Sequence, residues 1–571
     1  MKFEDIKYER LNFKEIKKKA NAYEKAFRNA KSYEEQKKIS DEIDQYMADE
    51  IMTTASYVHI KNTIDTSDKF YEDEYKNLNK KFATLLGVSR RLSKDYVNSP
   101  FKEDYIKNGY GIKIKTQEVA LRQQSMKTVL LSIKESNLKL AYSKTVAQAK
   151  TNFRGQDLNF YGLLKEMQNE DREIRKEAGE AWAKLYESIA PKLDEIYDQL
   201  LKNRCTQAKR LKYPDYVQMV YDSRNIFDYS REDLTKFKDL VVKYVVPACV
   251  KLREEQRERL GVDHLYFYDE SVFYKTGAMV PRGTTEELVA KANEMYNEMS
   301  KETGEFFTFM RENGYFDLET KENKRGGGYC TSLPKYKAPF IFSNFNQTSA
   351  DVDVLTHEAG HAFAAYTGMH SEKDCYAQDN MTMDIAEVHS MSMEHFAYPY
   401  MDKFFGEDAA KYRLMHLEEA LMTIPYLCAV DEFQHQVFSK SNTKKVASSA
   451  ERMEIWHNIE KRFMPWRDYG DNEFLSKGGY WMQKQHIFLF PFYYIDYALA
   501  QMSAFQFYKK ETINHEEAWK DYYKLCQIAG KQGYFDTLKL VNVKSPFEED
   551  TIKEIVEFVS ERIEVLKKDV E

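Results

Sequence analysis

The chain has 571 residues, a formal net charge of −7 and 31% charged residues, an acidic balance that argues against a nucleic-acid partner. Hydrophobic residues make up 43%, with only 22 Gly and 12 Pro; this favours long helices over turn-dense sheet and leaves core size unrestricted. The most apolar stretch, HIFLFPFYYIDYALAQ (486–501), is broken by Pro491, Asp496 and Gln501, so it falls short of a membrane span.

Residues 1–150 read as polar helices with apolar spacing near 3.6, interrupted by VNSPFKEDYIKNGYGIKI (97–114). The opening MKFEDIKYERLNF has no apolar h-region, so no signal peptide is expected. Cys205, Cys249, Cys330, Cys375, Cys428 and Cys526 are scattered and form no CxxC pair. A reduced, cytoplasmic setting is the expectation. A second long helical pattern spans 171–204, and Pro191 marks a break in it. DHLYFYDESV (263–272) alternates like a strand.

The texture changes at 305–345. RGGGYC (325–330) and KAPFIFSNF (337–345) are short, Gly- or Pro-bounded and aromatic, and read as strands of a small sheet. Helix resumes at about 349, with Thr348 or Ser349 as N-cap and Gly368 as the C′ stop.

That helix holds THEAGHAF (356–363). Residues i and i+4 project from one face, so His357 and His361 can reach a single ion. Zinc prefers imidazole nitrogen, and a catalytic site keeps three protein ligands plus water. Glu358, beside the first histidine, could take a proton from that water. Composition predicts about 0.02 chance HExxH matches in a chain of this length, so a metal site is preferred. Two core histidines would leave Glu358 without purpose among alanines. The HExxHxxGxxH class is excluded, because Ala364 and Thr367 stand where Gly and His would be needed. The third ligand must lie further on, in NMTMDIAEVHSMSMEHF (380–396). Asp384, Glu387, His389 and Glu394 are all possible, and spacing does not choose among them.

A metal-activated water that attacks a carbonyl needs donors for the developing oxyanion. The 486–497 block offers His486, Tyr493, Tyr494 and Tyr497. Phe488, Phe490 and Phe492 are assigned to the core. RGGGYC is a candidate substrate-pairing edge, giving Gly327, Gly328 and Tyr329 as substrate contacts together with Tyr493. LSKGGYW (475–481) is a candidate mobile loop hinged at Gly478–Gly479. Asp353 and Glu394 are placed to support the ligand histidines from behind. His59, His264 and His515 receive no role.

HEAGHAF followed by AEVHSMSMEH resembles the thimet oligopeptidase and oligoendopeptidase F family of zinc metallopeptidases. GGGYC…APFIFSNFNQTSADVDVL, DREIRKEAGEAWAKLYE and GGYWMQKQHIFLFPFYYIDYALA are similar to other blocks of that family, over residues 170–500. The resemblance implies a mainly α, elongated metallopeptidase with a deep substrate channel and a small β-sheet beside the HExxH helix. Residues 1–150 would be an N-terminal helical channel wall. Residues 151–571 would be the catalytic domain, with its core near 325–400 and the His/Tyr block near 478–500. It implies one Zn2+ per chain on His357, His361 and Glu387, Glu358 as general base, and His486 and Tyr497, with Tyr494 next, at the oxyanion. Substrates would be short peptides cut at internal bonds, with neither nucleic acid nor membrane as partner. Sequence leaves oligomeric state open. The alternatives are a zinc exopeptidase, against which TGAMVP (276–281) lacks the Glu-Asn of an amine-binding segment, and a peptide-binding scaffold with a closed structural zinc.

Overall fold

The computed structural model of the protein describes residues 1–277, 279–371 and 381–570. Cys375, Asn380 and Ala278 therefore lie outside the described residues. The fold is 72% helical with only small sheets, the mainly α architecture that was expected. Among the described residues, sheet is confined to a hairpin, β1 (Thr151–Phe153) with β2 (Gln156–Leu158), and a three-stranded sheet.

That sheet has the order β3-β5-β4, with β3 (Phe316–Glu319) parallel and β4 (Tyr329–Leu333) antiparallel to β5 (Ala338–Phe345). The apolar run of β5 fits its central place: all its residues but Asn344 are buried. β4 is an edge and begins at Tyr329. The preceding Arg325–Gly328 is a loop rather than the start of the strand, because Asn344 Nδ2 donates to the Arg325 and Gly327 carbonyls, each at 2.8 Å.

The helices that carry the site are numbered in chain order. α1 (Thr53–Ile64) lies against β4, where Thr63 Oγ1 and the Tyr329 hydroxyl are 2.6 Å apart. α2 (Arg172–Arg210) continues through Pro191, against expectation. Pro191 is exposed, so the missing N–H faces solvent, while Tyr186, Ala190, Leu193 and Ile196 bury the opposite face. α3 is Tyr216–Ser223. The 263–272 segment is not a strand but winds around the buried Asp269, which accepts from Arg172, Arg175 and the Tyr266 amide.

α4 (Ala350–Met369) carries the HExxH residues and α5 (Met383–Phe396) the acidic segment. Ser349 is the N-cap of α4 but makes no side-chain cap bond. Instead the Asp351 carboxylate accepts from the Asn346 and Gln347 amides at 3.0 and 2.8 Å, binding the incoming chain to the first turn. Gly368 is inside the last turn, and His370 is the C-cap. The helices cross at Gly360, where a Cβ would stand 2.6 Å from the His389 carbonyl oxygen. Only glycine permits that approach. α6 (Ala409–Ser439), α7 (Gln485–Leu489) and α8 (Ile495–Ile513) complete the surroundings, with α8 packed along α5.

One large core runs from Phe3 to Leu566, while Phe27, Ile43, Tyr96, Tyr105 and Ile114 form a separate small core in the N-terminal helices. Leu138 and Tyr142 already belong to the large one. The LSKGGYW segment is packed: Leu475 and Trp481 are fully buried, and a Cβ at Gly478 would lie 2.1 Å from the Met453 carbonyl oxygen.

Candidate functional site

His357 and His361 leave α4 one turn apart, and the close crossing at Gly360 brings α5 up to them. The result is a convergence of His357, His361 and Glu387, with one donor atom of each within 4.8 Å of the others. Each histidine Nε2 is 3.3 Å from Glu387 Oε2. Ligands about 2.0–2.1 Å from a tetrahedral zinc are themselves about 3.3 Å apart, so the two histidine–glutamate separations match those around such an ion. Among the described residues this is the cluster that could hold a metal.

The other three candidates for third ligand are engaged elsewhere or turned away. The Asp384 carboxylate accepts from the Tyr229 hydroxyl at 2.8 Å. His389 is buried, with neither ring nitrogen bonded. Glu394 lies behind the cluster, 2.6 Å from His357 Nδ1 and 3.3 Å from His416 Nε2. That contact fixes the His357 ring and leaves Nε2 facing Glu387. Burial opposes ionisation of Glu394, but its hydrogen bonds to His357 and His416 outweigh this and hold its carboxyl down at about 2. Asp353 bonds to the Tyr412 hydroxyl rather than to a ligand histidine, and burial pushes its carboxyl up to about 6.

Glu358 is buried beneath the glycine loop. A Cβ at Gly328 would lie 3.4 Å from Glu358 Oε1, and Glu358 Oε2 has no partner. Burial raises its pKa above the usual carboxylate value. An unpaired buried carboxyl is costly, which a proton-transfer role beside the cluster would explain. Gly327 and Gly328 are exposed ahead of the edge strand. Tyr329 uses its hydroxyl on Thr63, stacks its ring on Phe342 at 4.8 Å and pairs with the same residue across the β4–β5 ladder, while the other edge of β4 has no strand partner among the described residues. His59 of α1 packs on the same ring at 5.1 Å.

The 486–497 block reaches the cluster from the other side. The Tyr493 hydroxyl donates to Glu387 Oε1 at 2.6 Å, and Ser390 Oγ donates to Oε2 at 2.9 Å. The Tyr497 hydroxyl stands 3.4 Å from that of Tyr493. Burial, then the charge of Glu387, raises both phenols above their ordinary pKa, so both remain donors. The Tyr494 hydroxyl accepts from Lys484 at 2.8 Å and its ring meets Tyr426. The His486 ring stacks on Tyr493 at 6.0 Å, and burial lowers its pKa to about 4, keeping it neutral. Phe488 and Phe492 are fully buried, as assigned. Phe490 is not: it is 54% exposed, 6.1 Å ring to ring from His486, because the chain turns outward there before Pro491.

Sequence reasoning passed over His416, Tyr412, Ser390, Arg224 and Gln434. Only Ser390 carried a signal, three residues after Glu387 on the same helix. The others come from distant segments.

A buried glutamate beside a His/His/Glu donor set, on crossed helices next to an edge strand, is an arrangement suited to a metal-dependent hydrolase. The profile of Peptidase family M3 matches residues 166–556 and that of the Peptidase M3 N-terminal domain residues 3–124. The chain belongs to peptidase family M3. The oligoendopeptidase F homologue of Borreliella burgdorferi is 23% identical over 413 residues, covering 70% of this chain and 67% of its own. The solved structure of PZ peptidase A with inhibitor 2 superposes with a TM-score of 0.91 at 40% identity, over 99% of both chains. That of oligoendopeptidase-F from Enterococcus faecium, at 16% identity and a TM-score of 0.60 over 98% of both chains, shares the fold.

Proposed function

We propose that this metalloendopeptidase is a zinc enzyme that cuts internal bonds of short peptides, with His357, His361 and Glu387 as ligands and one ion per chain. The observation that carries the reading is the convergence of those three donor atoms beside the unpartnered Glu358 carboxyl. Bound zinc would supply Lewis-acid polarisation of a water and of the scissile carbonyl.

The chain's own groups do the rest. Glu358 Oε2 takes the proton of the attacking water and hands it to the leaving amine; its raised pKa suits both steps. The peptide lies along the free edge of β4, where Gly327 and Gly328 let its backbone come close. Tyr497 and neutral His486 are the donors for the oxyanion. Tyr493 donates to Glu387, while the Tyr494 hydroxyl accepts from Lys484 and keeps its own proton, so Tyr494 is the next donor after Tyr497 and His486. Glu394 and, through His416, the surrounding polar groups hold His357 in orientation. A reducing, cytoplasmic setting is supported by the free Cys205, Cys249, Cys330, Cys428 and Cys526. No described helix is long and apolar enough to cross a membrane.

The test uses a quenched peptide blocked at both ends. Chelation should abolish cleavage and zinc restore it, with mass spectrometry placing the first cut inside the peptide. Activity that survives complete stripping would defeat the zinc reading. Cleavage only of unblocked ends would replace it with an exopeptidase.

A further inference from the structure

The connection between α7 and α8 contains a backbone that its sequence does not favour. The Tyr493 amide donates to the Phe490 carbonyl at 3.2 Å, closing a four-residue turn with Pro491 second and Phe492 third. Phe492 has φ 62°. A turn with proline second and positive φ third normally places glycine or asparagine there. A phenylalanine in the left-handed region is strained and persists only where its surroundings over-determine it.

The surroundings do so at three points. The Phe492 amide donates to Gln434 Oε1 of α6 at 3.0 Å. Its carbonyl accepts from the guanidinium of Arg224, the C-cap of α3, which also bonds the Asp496 carboxylate at the start of α8. Its ring is fully buried against His435 at 5.0 Å, Phe438 at 5.6 Å and Tyr221 at 6.2 Å. The Arg224 guanidinium also stands 5.2 Å over the Tyr493 ring. The residue after the strained position is therefore the one whose hydroxyl holds Glu387 Oε1. A glycine at 492 would form the turn without strain but would lose the buried ring that anchors it.

We infer that Arg224 and Gln434 are positioning residues for the ligand carboxylate: they clamp the Pro491–Phe492 turn so that Tyr493 orients Glu387. Neither touches the donor cluster. Both act through one hydroxyl, and the inference rests on the zinc reading above. Because Arg224 holds the turn and the first residues of α8 together, it also sets the spacing between Tyr493 and Tyr497.

The test is a pair of double-mutant cycles on the full-length enzyme. Arg224→Lys and Gln434→Met are each made with Tyr493 intact and in Tyr493→Phe. Turnover and zinc affinity, by chelator competition, are measured for all. With Tyr493 present, each variant should lower kcat about tenfold and weaken zinc binding severalfold, with KM changed less than about threefold. In the Tyr493→Phe background the same changes should cost less than about twofold, since the hydroxyl they serve is gone. Equal losses in both backgrounds would make the clamp merely structural and overturn the proposal. So would unchanged kcat and zinc affinity with Tyr493 intact. If Arg224→Lys does not fold, Gln434→Met, which removes an acceptor and no charge, carries the cycle alone. An unmutated protein that neither binds zinc nor cleaves peptide would sink the zinc reading instead, which separates the two failures.

Discussion

On α4 and α5 the three donor atoms come from side chains within one turn of the crossing at Gly360, where the helices touch. On the other side of Glu387, Tyr493 and Tyr497 come from a strained turn and a helix start, held by Arg224 from 268 residues away and by Gln434 from 58. The first half is set by helical pitch, which any stable helix repeats. The second is set by long-range hydrogen bonds and a buried ring. A helix-built half should tolerate change away from its contact points. A clamped turn should lose function when any clamp is altered.

The sharpest division between the halves is chemical. Glu358→Gln keeps the shape of the helix-built half and removes only its proton acceptor. We expect kcat to fall by about 10³ or more with the metal retained, checked by single-turnover assay and metal analysis. A fully active variant would remove Glu358 from the mechanism. Tyr497→Phe should cost about 10²–10³ in kcat, roughly 3–4 kcal/mol, with little change in zinc affinity. If Tyr497→Phe instead released zinc, the turn-built half would be a support for the metal and not for the oxyanion.

Within the helix-built half, Glu394→Gln should weaken zinc binding by about 10–100-fold, because His357 loses the carboxylate behind Nδ1. Unchanged affinity in a competition titration would show that the ring is fixed by packing alone. Gly360→Ala should cost on the order of 1–3 kcal/mol, seen as a lowered melting temperature, because its methyl meets the His389 carbonyl. A neutral or stabilising result would mean that the crossing can relax.

The smallest effect concerns pH. Glu394 is held down at about 2 and His416 raised to about 9; burial opposes both shifts, and their mutual hydrogen bond drives that of His416. The lowered carboxyl contributes stability present above its ordinary 4.5 and lost as pH falls towards 2. The raised imidazole contributes stability present below its ordinary 6.5 and lost as pH rises through 9. The pair should therefore stabilise the metal-free protein most between pH 4.5 and 6.5. His416→Gln should remove the alkaline part of the decline, a shift of roughly a degree or two in melting temperature at this chain length. Identical melting profiles from pH 6.5 to 9 for variant and parent would contradict it.

The sequence by itself determined what repeats locally. His357 and His361 share a face because four residues make one turn, and the apolar run at 338–345 could only be a buried strand. Glu358 was legible because a carboxylate among alanines demands a reason. Pro191 and the 263–272 segment were misread because their outcome depends on what faces them: solvent in one case, Asp269 with two arginines in the other. Spacing left Asp384, Glu387, His389 and Glu394 open and only the family resemblance pointed to Glu387; the helix crossing that Gly360 allows is what brings Glu387 to the histidines. Tertiary structure alone decided that Phe490 points outward between two buried phenylalanines, and that Tyr493 rather than Tyr494 bonds Glu387. Period 3.6 says which residues share a face of one helix. It carries no information about a left-handed phenylalanine held by an arginine 268 residues away.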